Sequence, residues 1–290
     1  MKGIILAGGA GTRLYPASLP ISKILLPIYN KPMIYYPLSV LMQAGIQDIL
    51  IITNPEDDDN FKRVLGTGEK WGIKLSYIVQ RIKRGIADAF VLGETFIGKS
   101  DCALILGDNI FYGNGFEDIL TKAIQPRVGA TVLAYEVNDP ERFGVIEFDK
   151  TGKAISLEEK PTHPKSNFVV TGLYFYDNQV CQLAKSLTPS ARGELEITDL
   201  NRLYLEQGNL HVARLGRGFA WLDTGTHESV LQASNFVHDM QVNQGVEIAC
   251  LEEIALNKGF ITPQQLQTRL AKAPKNNYYN YLTNLLKNSR

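Results

Sequence analysis

A chain of 290 residues with 44% apolar and 21% charged side chains can bury a large core, which excludes a disordered tract. Thirty Lys plus Arg balance thirty Asp plus Glu, so no overall field favours nucleic acid or an anionic membrane, and phosphate chemistry must come from local arrangement. The longest apolar runs, 49–52 and 103–106, are strand-sized, far short of the roughly 20 residues that cross a bilayer.

The start of the chain carries no secretory signal pattern, and Cys102, Cys181 and Cys250 are odd in number and scattered. Both features predict a cytoplasmic setting with reduced, buried thiols. A first strand is predicted at 3–6, and it runs into Leu6-Ala7-Gly8-Gly9-Ala10-Gly11-Thr12-Arg13-Leu14. Glycines there let backbone N–H groups close on an anion, and Arg13 adds a planar fork suited to phosphate oxygens. Alone, the loop reads equally well as a glycine turn. It is not a P-loop, since no Gly-Lys-Ser/Thr follows, and Leu14 stands where a dinucleotide fingerprint needs its third glycine.

Lys23 follows in Ser22-Lys23-Ile24-Leu25, and an isolated lysine is usually a solvated charge. Its interest is its proximity to the glycine loop, over the strand ends where open α/β sheets bind ligands. A helix is predicted over 33–44, closed by Gly45; Pro37 inside it requires a kink or a later start. Strands at 48–53 and 74–79, a helix at 86–96 and a strand at 102–106 continue the alternation of a mostly parallel sheet. Asp108 lies just past that last strand, placed either to bind magnesium or to start a turn before the helical region 115–124.

After a strand at 130–136, the runs 144–148 and 154–159 flank Asp149-Lys150-Thr151-Gly152, a β-hairpin turn, and a strand follows at 168–176. Alternation puts Glu158 and Lys160 on one face and Glu159 on the other, as in any edge strand. Arg192-Gly193-Glu194-Leu195-Glu196 precedes a helix at 197–207 that Gly208 ends, and 210–215 reads as a strand. Trp221-Leu222-Asp223-Thr224-Gly225 supplies a second carboxylate, and Mg²⁺ commonly takes one or two carboxylates plus substrate phosphates. Helices are predicted at 226–242, 247–257, 262–273 and 280–287. The four histidines form no metal pair, and no Gly-x-Ser-x-Gly elbow supports acyl transfer.

Taken together, the Gly-rich loop through Arg13, Ser22-Lys23, Leu106-Gly107-Asp108-Asn109, Asp139-Pro140-Glu141-Arg142-Phe143-Gly144, Glu158-Glu159-Lys160-Pro161 and Trp221-Leu222-Asp223-Thr224-Gly225 resemble the glucose-1-phosphate thymidylyltransferases over nearly the whole chain. The resemblance implies an α/β, Rossmann-like three-layer nucleotidyltransferase fold with a mostly parallel sheet. Residues 1–245 would form the nucleotidyltransferase domain, with a small antiparallel sugar-binding insertion near 137–180. A helical C-terminal segment, 246–290, would serve as oligomer and regulatory interface in a homotetramer inhibited by a downstream dTDP-sugar.

It further implies dTTP and glucose 1-phosphate as substrates and Mg²⁺ on Asp108 and Asp223. Leu6, Gly8, Gly9, Gly11, Thr12, Arg13 and Lys23 would hold the triphosphate beside Asp108, and Gln80 and Gly85 would meet the thymine edge. Gly144, Glu159, Val170 and Tyr174 would hold the glucose; Lys160 and Arg192 would contact its phosphate. Arg13, Lys23 and Lys160 carry the catalytic expectation. Departures cluster around the nucleotide: Ile24 and Asp88 stand where glutamines are usual, Asn30 where an aspartate is, and Arg81-Ile82-Lys83-Arg84 replaces a Pro-x-Pro-like turn. They predict a relaxed preference that admits UTP. The competing readings are a uridylyltransferase, a non-catalytic sugar-nucleotide sensor and a dinucleotide-dependent dehydrogenase.

Overall fold

Segments that are apolar on both faces lie at the centre of a nine-stranded sheet, covered on each side. The computed structural model describes residues 1–9, 11–125 and 128–288. Its first half comprises β1 (Lys2–Leu6), β2 (Pro27–Ile28), β3 (Lys31–Pro32), α1 (Tyr35–Gln43), β4 (Asp48–Thr53), α2 (Asp58–Leu65) and β5 (Lys74–Val79). Then come α3 (Asp88–Leu92), α4 (Glu94–Ile97), β6 (Cys102–Leu106), β7 (Asn109–Tyr112), α5 (Phe116–Ile124) and β8 (Ala130–Glu136). Next are β9 (Gly144–Phe148), β10 (Ala154–Glu159), β11 (Phe168–Tyr176), α6 (Val180–Ser186), α7 (Ile197–Glu206), β12 (Leu210–Arg214) and β13 (Ala220–Asp223). The chain closes with α8 (His227–Gln244), α9 (Leu251–Asn257), α10 (Pro263–Leu270) and α11 (Asn277–Asn288).

Strands β5, β4, β1 and β6 run parallel, so their carboxyl ends share one edge. Antiparallel β11 joins β6 and continues the sheet through β9 to β10, while β8 pairs with β11 and carries β12 in parallel. The β11–β8 register shifts between Val170 and Tyr174, which leaves Thr171 and Gly172 out of that ladder. Alternation along β1 sends Ile4 and Ile5, both fully buried, into two separate cores on opposite faces.

Helix α1 begins at Tyr35, later than Met33, and Pro37 falls in its first turn, where a missing N–H loses no partner. The predicted helix 86–96 is two helices broken at Gly93; a Cβ there would lie 3.1 Å from Ile4 and 3.3 Å from Leu50, so the residue is pressed onto the sheet. Helices α2 and α6 and the ribbon β7–β13 were not anticipated; each is short, and β7 and β13 lack clean alternation. The C-terminal helices pack back on the sheet: α9 buries Leu251 and Ala255 in the Ile5 core, and Trp71 Nε1 donates to Glu252 Oε1 at 3.0 Å. Among the described residues, no helix is long and apolar enough to cross a membrane.

Candidate active site

The glycine loop leaves β1 over the carboxyl edge and is clamped by one amide. Asn54, just past β4, accepts from Gly9 N–H through Oδ1 at 3.1 Å and donates Nδ2 to Gly9 O at 2.8 Å. Gly9 and Gly11 have φ of 135° and 58°, a region that side chains disfavour, and Gly11 leads into a 3-10 turn at Thr12–Leu14 that carries Arg13. Ser18 Oγ donates to Gly11 O at 2.7 Å. Neither Asn54 nor Ser18 belongs to a motif, so their bracing role was not legible. Ala10 of the motif lies outside the described residues.

Lys23 sits on the next 3-10 turn, and its ammonium is ion-paired with Asp108 Oδ2. Asn109 Nδ2 donates to the other Asp108 oxygen at 3.0 Å. Burial alone would push the Asp108 pKa up; the Lys23 charge and hydrogen bond, then Asn109, outweigh it and hold the carboxyl below its usual range. Strand β13 runs antiparallel to β7 with Asp223 opposite Asn109, which sets the second carboxylate next to the first. Asp223 has the opposite shift: burial, then the neighbouring Asp108 charge, raise its pKa, only partly offset by Lys23, Arg13 and Arg142. Among the described residues, no group of three or more metal-ligating side chains gathers anywhere. Two carboxylates, one of them under-compensated, fit a hard cation that completes its shell with phosphates and water.

Both aspartates and Arg13 line a cleft of about 280 Å³ that also holds Gly144, Glu159, Lys160, Val170, Tyr174 and Arg192. Residues from β7, β9, β10, β11 and β13 thus converge. Thr198 Oγ1 donates to Glu159 Oε2 at 2.5 Å, while Glu159 Oε1 lies 3.3 Å from Lys160 Nζ and 3.4 Å from Arg192 Nη2. A Cβ at Gly144 would lie 2.8 Å from Thr198 Oγ1, so only glycine fits against this threonine. Glu196 holds Arg192 through both oxygens at 2.9 Å. Lys160 has φ of 45°, a strained value for a lysine, and its N–H donates to Phe143 O at 2.9 Å. Tyr174 is buried, which with the Glu159 and Asp108 charges pushes its phenol pKa well up.

The remaining predicted nucleotide residues do not line this cleft. Gln80 follows β5 and faces the glycine loop, with Oε1 3.2 Å from where a Gly8 Cβ would stand. Gly85 has φ of 96° and lies against Leu195, whose carbonyl would be 2.5 Å from a Cβ there. Leu6 accepts from Gly107 N–H at 3.0 Å, joining the loop to the Asp108 strand. Ile24 is buried, its Cγ2 3.0 Å from the place of a Gly107 Cβ, and so presents apolar surface to the Asp108 turn. Asn109, Thr198, Glu196 and Thr224 organise the site without having been singled out; Asn109 Oδ1 accepts from Trp221 Nε1 at 2.6 Å and Gly172 N–H at 3.1 Å. Asn109, Glu196 and Thr224 lie within quoted motifs and Thr198 two residues past one, but nothing local set them apart from their neighbours.

The chain whose strand-edge cleft gathers Asp108 and Asp223 with Arg13, Arg142, Lys160 and Arg192 matches known proteins along nearly all of its length. The family model for nucleotidyl transferases matches residues 2–240. A glucose-1-phosphate thymidylyltransferase of Neisseria meningitidis serogroup A is 59% identical over 99% of this chain and 100% of its own. A Bacillus anthracis protein solved with sucrose, described as a candidate glucose-1-phosphate thymidylyltransferase, aligns with a TM-score of 0.77 at 45% identity, covering 82% of this chain and 96% of its own. A UDP-glucose pyrophosphorylase complexed with UDP-glucose aligns with a TM-score of 0.72 at 26% identity over 82% and 98%. With Arg13, Asp108, Lys160 and Asp223 in one cleft, this chain belongs to the nucleotidyltransferases and, among them, to the glucose-1-phosphate thymidylyltransferase family.

Proposed function

We propose that this enzyme transfers a thymidylyl group from dTTP to glucose 1-phosphate, giving dTDP-glucose and pyrophosphate. The observation that carries the reading is that Asp108, Asp223 and Arg13 share one cleft with Glu159, Lys160 and Arg192. A phosphate oxygen of glucose 1-phosphate attacks the α-phosphorus in line; the new P–O bond forms as the α–β bridging bond breaks and pyrophosphate leaves. Such chemistry is mostly positioning and charge stabilisation, so a protein nucleophile is unnecessary.

Arg13 and the N–H groups of the glycine loop take the triphosphate, with Arg13 on the leaving oxygens. Lys23 stands beside the same phosphates, held by Asp108. Glu159, with one oxygen held by Thr198 and the other beside Lys160 and Arg192, offers a remaining lone pair to a sugar hydroxyl. Lys160 and Arg192 bracket the sugar phosphate. Asp108 and Asp223 would hold Mg²⁺, which when bound supplies charge neutralisation between two polyanions. Gln80 and Gly85 meet the base. A coupled pyrophosphate assay across nucleoside triphosphates and sugar 1-phosphates, with and without Mg²⁺, tests the reading: turnover with dTTP and glucose 1-phosphate is expected, and ligand binding without pyrophosphate release would favour a sensor.

A regulatory reading has its own support. A second cavity of about 700 Å³ lies between α1, the β7–α5 turn and α9, lined by Tyr36, Phe111, Phe116, Glu253 and Ile254, and shares no lining residue with the catalytic cleft. We assign it to a dTDP-sugar inhibitor in a homotetramer. Light scattering reports the subunit number, and inhibition by dTDP-sugars that persists at saturating dTTP separates this site from competition.

A further inference from the structure

The end of β5 delivers Gln80 to the same edge as the glycine loop. Its N–H donates to Thr53 O at 2.8 Å, prolonging the parallel pairing by one residue, and its side chain is only 5% exposed. Gln80 Nε2 donates to Asp88 Oδ2 at 3.1 Å, while Oε1 faces Gly8. Asp88 is 1% exposed, and its other oxygen lies 3.3 Å from Arg84 Nη2. A carboxylate paired with a guanidinium offers acceptors only. The Gln80 amide therefore has one permitted orientation: its donor turns inward to Asp88 and its acceptor turns out toward the nucleotide loop.

We propose that Asp88 is a positioning residue for base choice: by pinning Gln80 with Oε1 outward, it admits pyrimidines that carry an N3–H and rejects cytosine. The proposal rests on the reading above that Gln80 meets the base. Thymine and uracil both donate from N3. Cytosine N3 is a bare lone pair, and set against Oε1 it leaves two acceptors face to face, unpaired. An amide free to turn would offer Nε2 to cytosine and serve both bases. The device is blind to the 5-methyl group, so it separates dTTP from dCTP but not from dUTP.

The test compares kcat/KM for dTTP, dUTP and dCTP with glucose 1-phosphate in the full-length enzyme and two variants, with thermal unfolding in parallel. Asp88→Asn is isosteric and can donate to Oε1. Asp88→Ser is well suited to a helix start, and its shorter side chain no longer fixes either end of the amide. The expected result is a dTTP:dCTP ratio at least about tenfold lower in either folded variant, with the dTTP:dUTP ratio unchanged. A loss of the same factor on all three nucleotides overturns the proposal, since a merely structural role would do that. A wild-type enzyme that uses neither dTTP nor dUTP overturns the functional reading itself, before any variant is scored.

Discussion

Thr224 grips the Asp108 carbonyl twice, with its N–H at 3.0 Å and its hydroxyl at 2.8 Å. The residue is wholly buried, so it fixes the turn that carries one carboxylate to the strand that carries the other. Thr224→Val keeps the shape and the N–H but removes the hydroxyl. Urea unfolding should show a loss of about 1 kcal/mol, and kcat should fall about tenfold as Asp108 loosens. An unchanged kcat with the full stability loss would mean that the turn holds without this bond.

The parallel strands were readable because their apolar runs need burial on both faces, and β4, β5, β6 and β8 fall at their predicted bounds. The ribbon β7–β13 was not: four-residue strands carry too little pattern, and their pairing joins residues more than a hundred positions apart. Asp108 and Asp223 could be named from their motifs, yet their adjacency depends on that ribbon. Asn54 and Thr198 stayed hidden for a similar reason, since a bracing amide or hydroxyl has no local signature before the fold brings it to its partner.

Asp223 gives a prediction in which stability and turnover move oppositely. Its carboxylate is buried beside Asp108, and both conditions raise its pKa, so the charged form costs stability when no cation is present. Asp223→Asn removes the repulsion. The unliganded variant should unfold at or slightly above the wild-type temperature, while turnover falls at least about a hundredfold. Added Mg²⁺ with dTTP should raise the wild-type midpoint more than the variant's. A variant that is less stable yet still active would overturn the proposal that Asp223 holds a metal ion.

Gly225 reports on Arg13. A Cβ there would stand 3.0 Å from Arg13 Nη2 and 3.3 Å from its Cζ, contacts that a flexible side chain relieves by moving. Gly225→Ala should therefore leave the unfolding temperature nearly unchanged and, given the phosphate role proposed for Arg13, lower kcat/KM by about tenfold to a hundredfold through the displaced guanidinium. A loss in Gly225→Ala combined with Arg13→Ala that is no larger than in Arg13→Ala alone would show that the methyl acts through Arg13; additive losses of the two single variants would refute that.

The C-terminal helices are tied to the β2–β3 hairpin by an ion pair between buried Lys31 and partly buried Glu247. Lys31, only 3% exposed, donates to Glu247 at 2.6 Å, Asn30 at 2.7 Å and Gln241 at 3.1 Å, and Asn30 Nδ2 donates to the same Glu247 oxygen at 3.1 Å. Lys31→Met leaves the partly buried Glu247 without its cation, held only by Asn30, and should cost about 2–3 kcal/mol in urea unfolding. Lys31→Met with Glu247→Leu should recover at least half of that, since an apolar pair needs no charge compensation. Burial lowers the Lys31 pKa despite the Glu247 hydrogen bond and charge. Between that lowered value and 10.5 the unfolded chain holds the extra proton, so wild-type stability relative to the double variant should rise with pH across this window. A gap that narrows there instead would mean that Glu247, not burial, governs the lysine.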